Sequence, residues 1–409
     1  MMKIRGTRIV IPLVILILAL LLSSNLLLRL FILSVMVLLI SYLWALIGAR
    51  GVRVQFGELP EFSQVGASFN EDITVFNDSR IPKLLLKLEE NTDLPGYNNL
   101  MELNLRSESS FHWQTRVQCR RRGRYSLGSA TITAGDPFGF FWRNHHAGEP
   151  RHLLVYPATM ELSFFDVSTP SNLGDSSSGW LIGQTGINAS GVREYVNGDS
   201  LMHIHWPSTA RSGKLMVKMF DDGRAPSSSE DVYVVVDMHQ ASHQGQGDEG
   251  TEEHAVTVAA SLVKKYLDRG LQVGLVISGD PLVSFLPGRG EEHYSRMMEA
   301  LALVQANGEI PIDHVIANRM KPVINDATVV VISPATTPSL ADAVRQLRIR
   351  GVLVSAVLLD PASFGGITSS SNLARQLRWL GIPVYIARKG EELFKVLDRR
   401  TTPSPVPSI

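Results

Sequence analysis

Residues 9–47 carry one charged side chain, Arg29, in a stretch that is otherwise almost wholly apolar. A spanning helix needs about 20 apolar residues to cross about 30 Å of hydrocarbon. Thirty-nine residues are too many for one straight crossing and right for two. The polar interruption Ser23-Ser24-Asn25 falls near the middle. Residues 1–50 therefore read as a transmembrane helical hairpin: a span at 9–22, a turn at 23–25 and a return at 26–47. Arg29 is close enough to the turn to reach the headgroups.

Lys3, Arg5 and Arg8 precede the first span, and Arg50 and Arg53 follow the second. Basic residues beside span ends tend to stay in the cytoplasm, and a hairpin puts both its ends on one side. The expectation is a cytoplasmic-membrane protein with two helices and its soluble domains facing the cytoplasm. A single exporting anchor would leave Arg50 and Arg53 outside and bury Arg29, and a cleaved signal peptide has a shorter apolar core. Cys119 is the single cysteine, so no internal disulfide forms. The 39 basic and 39 acidic side chains cancel, which gives no support to a nucleic-acid partner.

Residues 51–165 show short alternating runs, such as Ile73-Thr74-Val75-Phe76, punctuated by Asn77-Asp78-Ser79, Pro95-Gly96 and Gly135-Asp136-Pro137. Period-two alternation is what a strand with one buried face requires, and several at this spacing predict a β-sandwich. Residues 166–230 are a Gly/Ser-rich linker followed by a denser polar and aromatic segment. From 231 to 398 strands and helices alternate. Strands are expected at 232–237, 271–278, 328–332, 352–358 and 383–387, helices at 252–269, 291–305, 339–350 and 372–380, and an antiparallel edge at 280–286. That order predicts an α/β, doubly wound, mostly parallel sheet. The tail 399–409 reads as disordered by composition.

The α/β order, with its first strand ending in aspartate, resembles the von Willebrand factor A fold. Upstream, Cys119-Arg120-Arg121-Arg122-Gly123-Arg124-Tyr125, Gly135-Asp136-Pro137-Phe138-Gly139 and Leu154-Val155-Tyr156-Pro157 resemble one bacterial family. So does the segment containing Arg193, Glu194, Tyr195, Gly198, Asp199, His205, Trp206 and Arg211. It is the membrane-anchored domain-of-unknown-function family fifty-eight. The resemblance implies a von Willebrand A-like domain on a membrane anchor, encoded beside MoxR-type AAA+ ATPases and often near transglutaminase-like membrane proteins. The sequence departs from the family pattern at Met202 and His203, where relatives usually carry arginines, and at Pro207, where they carry a basic residue.

The resemblance also implies where a Mg²⁺ adhesion site would fall. Such sites use Asp-x-Ser-x-Ser and a later aspartate, because Mg²⁺ takes hard oxygen ligands in octahedral geometry. Here the motif reads Asp237-Met238-His239-Gln240-Ala241, and Ser333-Pro334 stands where the second carboxylate belongs. The site is degenerate, with Asp237 expected to hydrogen-bond its own loop, and no metal or cofactor is expected. His203 with His205, and His239 with His243, have spacings zinc could use but no third ligand, and are read as loop or surface histidines. No nucleophile elbow or phosphate-binding glycine loop is present in the sequence.

Arg120, Arg121, Arg122 and Arg124 could face anionic lipid or pair with carboxylates, and pairing is the favoured reading. The Arg193–Arg211 segment could be a docking surface or a clamp on the α/β domain. The expected function is a membrane-tethered, non-enzymatic adaptor acting with a MoxR-type ATPase in envelope assembly or maturation. The alternative is a hydrolase using loops around Asp237 and Asp360.

Overall fold

Ile73 and Val75 point inward while Asp72 and Thr74 lie toward solvent, and that alternation sets the N-terminal half. The computed structural model describes residues 2–4, 25–48, 50–162, 189–194, 214–220, 231–245, 247–320 and 327–397, with single positions 14, 17, 165, 209 and 211. Strand β1 (Met2–Ile4) precedes helix α1 (Asn25–Gly48). Strands β2 (Val52–Phe56), β3 (Phe62–Gln64), β4 (Ser68–Asn77), β5 (Lys83–Glu90), β6 (Leu100–Leu105) and β7 (Ser109–Gln118) follow. Then come β8 (Gly123–Leu127), β9 (Ala130–Gly135), β10 (Phe141–Ala147) and β11 (Arg151–Tyr156). They form sheets ordered β1-β10-β9-β5-β6, β2-β4-β7 and β3-β11-β8.

Side chains from two of these sheets meet in one core: Val52 and Val75 pack with Leu86, Leu88, Leu103, Ile132 and Ala134. A second cluster joins β7, β8 and β11 through Val117, Leu127, Leu153 and Val155, with the Cys119 thiol buried beside it. The buried positions alternate along β4 and β9, with one face of each turned to the shared core.

α1 is apolar all round, and its segment Leu28–Gly48 is the one helix among the described residues long and apolar enough to cross a membrane. The expected first span, 9–22, lies outside the described residues except Val14 and Ile17, both helical. The C-terminal end of α1 docks on the β region. Lys83 Nζ donates to the Ile47 carbonyl at 3.1 Å, and Arg143 donates to the Leu46 carbonyl at 3.1 Å. These cations satisfy carbonyls left free at a helix end and oppose its negative dipole end.

β12 (Ala189–Glu194) and β13 (Met216–Phe220) pair antiparallel, with Glu194 opposite Met216. The C-terminal half then runs β14 (Asp231–Asp237), α2 (Thr251–Asp268), β15 (Gln272–Ser278), β16 (Val283–Gly288), α3 (Glu291–Leu303) and α4 (Ile312–Val315). It ends with β17 (Thr328–Ser333), α5 (Pro338–Ile349), β18 (Leu353–Leu359), α6 (Ser371–Trp379), β19 (Val384–Ala387) and α7 (Leu393–Leu397). The sheet order is β16-β15-β14-β17-β18-β19, with only β16 antiparallel. Val232, Val234 and Val236 face α2 and α3, and Tyr233 and Val235 face α4, α5 and α6. A strand covered on both faces is an uninterrupted apolar run. The antiparallel edge falls at 283–288, two or three residues later than the sequence suggested.

The two halves meet through charge. Arg122, its side chain 4% exposed, reaches Glu252 at 2.7 Å, pairs with Glu253, and donates to the Val304 carbonyl at 2.8 Å. Arg121 pairs with Asp248 at 3.1 Å and Arg124 with Glu299 at 3.0 Å. Three of the four arginines in the run therefore meet carboxylates of the α/β half rather than lipid. Leu162 and Phe165, expected in the β domain, instead pack into the α/β core, where Phe165 lies 4.7 Å from Tyr385.

Candidate functional site

β14, β17 and β18 end side by side, and each terminal residue or its successor is polar: Asp237, Ser333 and Asp360. Asp237 is wholly buried. One carboxylate oxygen accepts from the His239 backbone N–H at 3.0 Å, and the other accepts from Ser333 Oγ at 2.5 Å. Ser333 Oγ in turn accepts from the Ala335 N–H at 2.9 Å. Burial raises the Asp237 pKa, against the downward pull of those two hydrogen bonds.

His243 is a half-buried loop histidine. Its Nε2 donates to the Asp237 carbonyl at 2.8 Å, and Nδ1 faces Thr251 Oγ1 at 3.0 Å. Burial lowers its pKa, so the neutral ring ties the 238–244 loop to the start of α2. His239 instead turns toward Ser242, 3.1 Å away. Gly308 closes the loop from the other side: its N–H donates to the Met238 carbonyl and its carbonyl accepts from Gln240, both at 2.9 Å. A Cβ there would sit 2.4 Å from the Ser278 carbonyl oxygen, so glycine is required.

Asp360 accepts from the Ser370 N–H at 2.9 Å and lies 3.5 Å from Arg388 Nε. Above the two aspartates runs a groove of about 430 Å³, walled by His239, Gln244, Asp313, His314, Thr336 and Thr368. Asp237 does not line it. Ile367 stands fully exposed on its rim. Among the described residues no group of three His, Cys, Asp or Glu side chains is arranged to hold a metal. The groove offers hydroxyls, imidazoles and apolar edges, a mixture suited to recognition.

Of the family-motif residues, Arg193 and Glu194 lie on β12 and Arg211 is exposed. Tyr195, Gly198, Asp199, Met202, His203, His205, Trp206 and Pro207 lie outside the described residues. The β12–β13 pairing brings the two ends of that segment together, which sequence reading missed because the partners are more than twenty residues apart. Sequence reading also missed the Ser333–Asp237 bond, although Ser333 was marked by its place after a buried strand.

A mixed α/β protein with a groove at the carboxyl ends of its strands, and one apolar N-terminal helix, is the class these features define. Residues 191–364 match the family described as "Protein of unknown function DUF58", so the matched region begins inside β12 and ends just beyond β18. The chain is 25% identical over 220 residues to the uncharacterized protein YeaD of Bacillus subtilis (strain 168). That match covers 54% of this chain and 52% of the relative, so the chain spans about half the length of the curated relative it matches. The CARDB domain of PF1109 from Pyrococcus furiosus is 14% identical over 25% of this chain and 91% of its own, with a TM-score of 0.20. A β-glucosidase from Listeria innocua is 9% identical over 25% and 16%, with a TM-score of 0.18. A Salmonella α2-macroglobulin mutant is 20% identical over 27% and 7%, with a TM-score of 0.22. Scores this low carry no argument about fold or function.

Proposed function

We propose that the chain is a membrane-tethered, non-enzymatic adaptor whose von Willebrand A-like domain binds a protein partner at the groove above Asp237. The observation that carries this reading is the state of the Asp237 carboxylate. Both its oxygens are occupied, by Ser333 Oγ and the His239 N–H, beneath a groove walled by hydroxyls, imidazoles and the Asp313 side chain. Open α/β sheets bind at this edge. The partner is a MoxR-type AAA+ ATPase, and the complex acts in assembly or maturation of envelope components. The β region, a β-sandwich in this reading, holds the groove at a fixed distance from the membrane.

Tethering by a helical hairpin is supported at both ends. β1 pairs with β10, with Met2 opposite Arg143, and the same Arg143 caps α1 at Leu46. Residues 4 and 48 therefore return to one place, with the long apolar stretch between them. On α1, Phe31, Ser34, Val37, Leu38, Ser41, Trp44, Ala45, Leu46 and Gly48 are less exposed than the rest. They lie along one side of the helix, whose C-terminal part docks on β9 and β10. Lys3 and Arg50 flank the hairpin on the cytoplasmic side, by the bias of basic residues. Confinement at the membrane raises the partner's effective concentration there.

Crosslinking in native membranes, followed by capture of the full chain, tests the proposal. An AAA+ ATPase is expected among the captured proteins and is expected to be lost with Ile367→Arg in the groove rim. Capture without any ATPase contradicts the adaptor reading.

A further inference from the structure

The end of the β region that receives α1 is unlike the end that meets the α/β half. Tyr42 of α1 packs edge-on against Phe141, centroids 5.7 Å apart, and the loops on either side of this contact carry exposed apolar side chains. In the β9–β10 loop, Phe138 is 55% exposed and stacks on Phe140 at 6.1 Å. Beside Lys83, which caps the helix, Leu84 and Leu85 are exposed, and Ile81 is exposed in the preceding turn. Scattered exposed leucines are ordinary, but these four surround the exit of a membrane-grade helix. Exposed Arg50 and Arg106 lie in the same set of loops, with Asn77 joining the Arg106 turn to the Ile81 turn.

Length fixes the level of this surface. At about 1.5 Å per residue, the 21 residues Leu28–Gly48 span about 31 Å, close to the hydrocarbon thickness. Tyr42 is six residues before Gly48, about 9 Å back along the axis. Counting the span from Asn25 instead still leaves Tyr42 on the lipid side. A body touching α1 at Tyr42 cannot stand clear of the bilayer.

We propose that this end is a bilayer seat: Phe138, Leu84, Leu85 and Ile81 enter the lipid interface around α1 while Arg50 and Arg106 meet the headgroups. The seat rests on the tethering reading above. It fixes the tilt of the β region, and the Arg122 lock passes that tilt to the α/β half, so the groove is presented at a set angle to the membrane. Aromatic rings favour the interface level, and cations nearby favour anionic lipid.

Spin labels on single cysteines test it, in the full chain reconstituted into vesicles of phosphatidylcholine and phosphatidylglycerol. Labels are placed at 84 and 138, at Leu33 in α1, and at Ile367, in a Cys119→Ala background. Should that background fail to fold, Cys119 is kept, because its buried thiol reacts slowly. Labels at 84 and 138 are expected to relax with oxygen more than with a water-soluble nickel complex, as at Leu33, and Ile367 to show the reverse. Aqueous behaviour at 84 and 138 with lipid behaviour at Leu33 overturns the seat and leaves tethering intact. Aqueous behaviour at Leu33 overturns both.

Discussion

The α/β half and the β half bury their polar groups for different ends. In the α/β half, the buried aspartates Asp237 and Asp360 and the buried serines Ser278 and Ser333 sit at the carboxyl ends of strands. They hold loops around the groove, while the sheet itself is apolar on both faces. In the β half, buried charges lie where that half meets something else: Lys83 at the end of α1, Arg122 at the α/β half. Three carboxylates are exceptions: Glu71 and Glu90 share the Tyr97 hydroxyl at 3.0 Å each, and Asp136 accepts from the Phe138 and Phe141 N–H groups of its own turn. A one-faced sheet has less apolar area to bury, so charged contacts set its neighbours' positions. The α/β half presents a surface, and the β half orients it.

The sharpest way to break this contrast is Arg122→Ala. Leaving Glu253 buried without its cation is expected to cost about 3–5 kcal/mol, because burial already raises the Glu253 pKa and Arg122 holds it down. Calorimetry should show one cooperative transition split in two. A single unshifted transition would mean the halves are joined by something other than this arginine.

Core truncations come next. Leu275 is fully buried in a sheet covered on both sides, and Leu88 is nearly so between two one-faced sheets. Leu275→Ala is expected to cost about 3–4 kcal/mol and Leu88→Ala about 2–3 kcal/mol by urea unfolding, on the expectation that a core covered on one side collapses more readily around a void. Equal losses would erase the contrast in packing.

Acid response is smaller. Burial, and then the Glu90 charge, push the Glu71 carboxyl from 4.5 up to about 7, with Arg151 opposing. The folded chain keeps this proton where the unfolded chain has released it. The stabilisation is therefore full below pH 4.5 and is lost as pH rises through about 7. The change is about 3 kcal/mol at most, and less where solvent reaches the pair. Melting temperature relative to Glu71→Gln should fall across that window, and a parallel pair of curves would contradict the assignment. Smallest of all is Arg53→Ala. Its pair with Asp78 is exposed, and the urea midpoint is expected to stay unchanged.

Much of the α/β half was legible because each of its signals is local. The helix expected at 252–269 is Thr251–Asp268, and the strand expected at 328–332 is Thr328–Ser333. Continuous apolar runs and the glycine after Arg269 suffice to place them. The β half was legible only as alternation. Nothing near Arg122 in the sequence marks Glu252, 130 residues away, as its partner. The groove lies at the edge where open sheets bind, but its walls come from four separate segments of chain. His243 was read as a loop or surface residue and does lie in a loop, but a histidine four residues from another carries no sign of its bonds to Asp237 and Thr251. The motif around Trp206 stays a sequence observation.

Protease access in spheroplasts tests the tethered, inward-facing body most directly. Trypsin added outside intact spheroplasts is expected to leave residues 51–397 uncut, and to cut them only after lysis. Digestion of that region in intact spheroplasts would contradict the cytoplasmic orientation and, with it, the partner proposed for the groove.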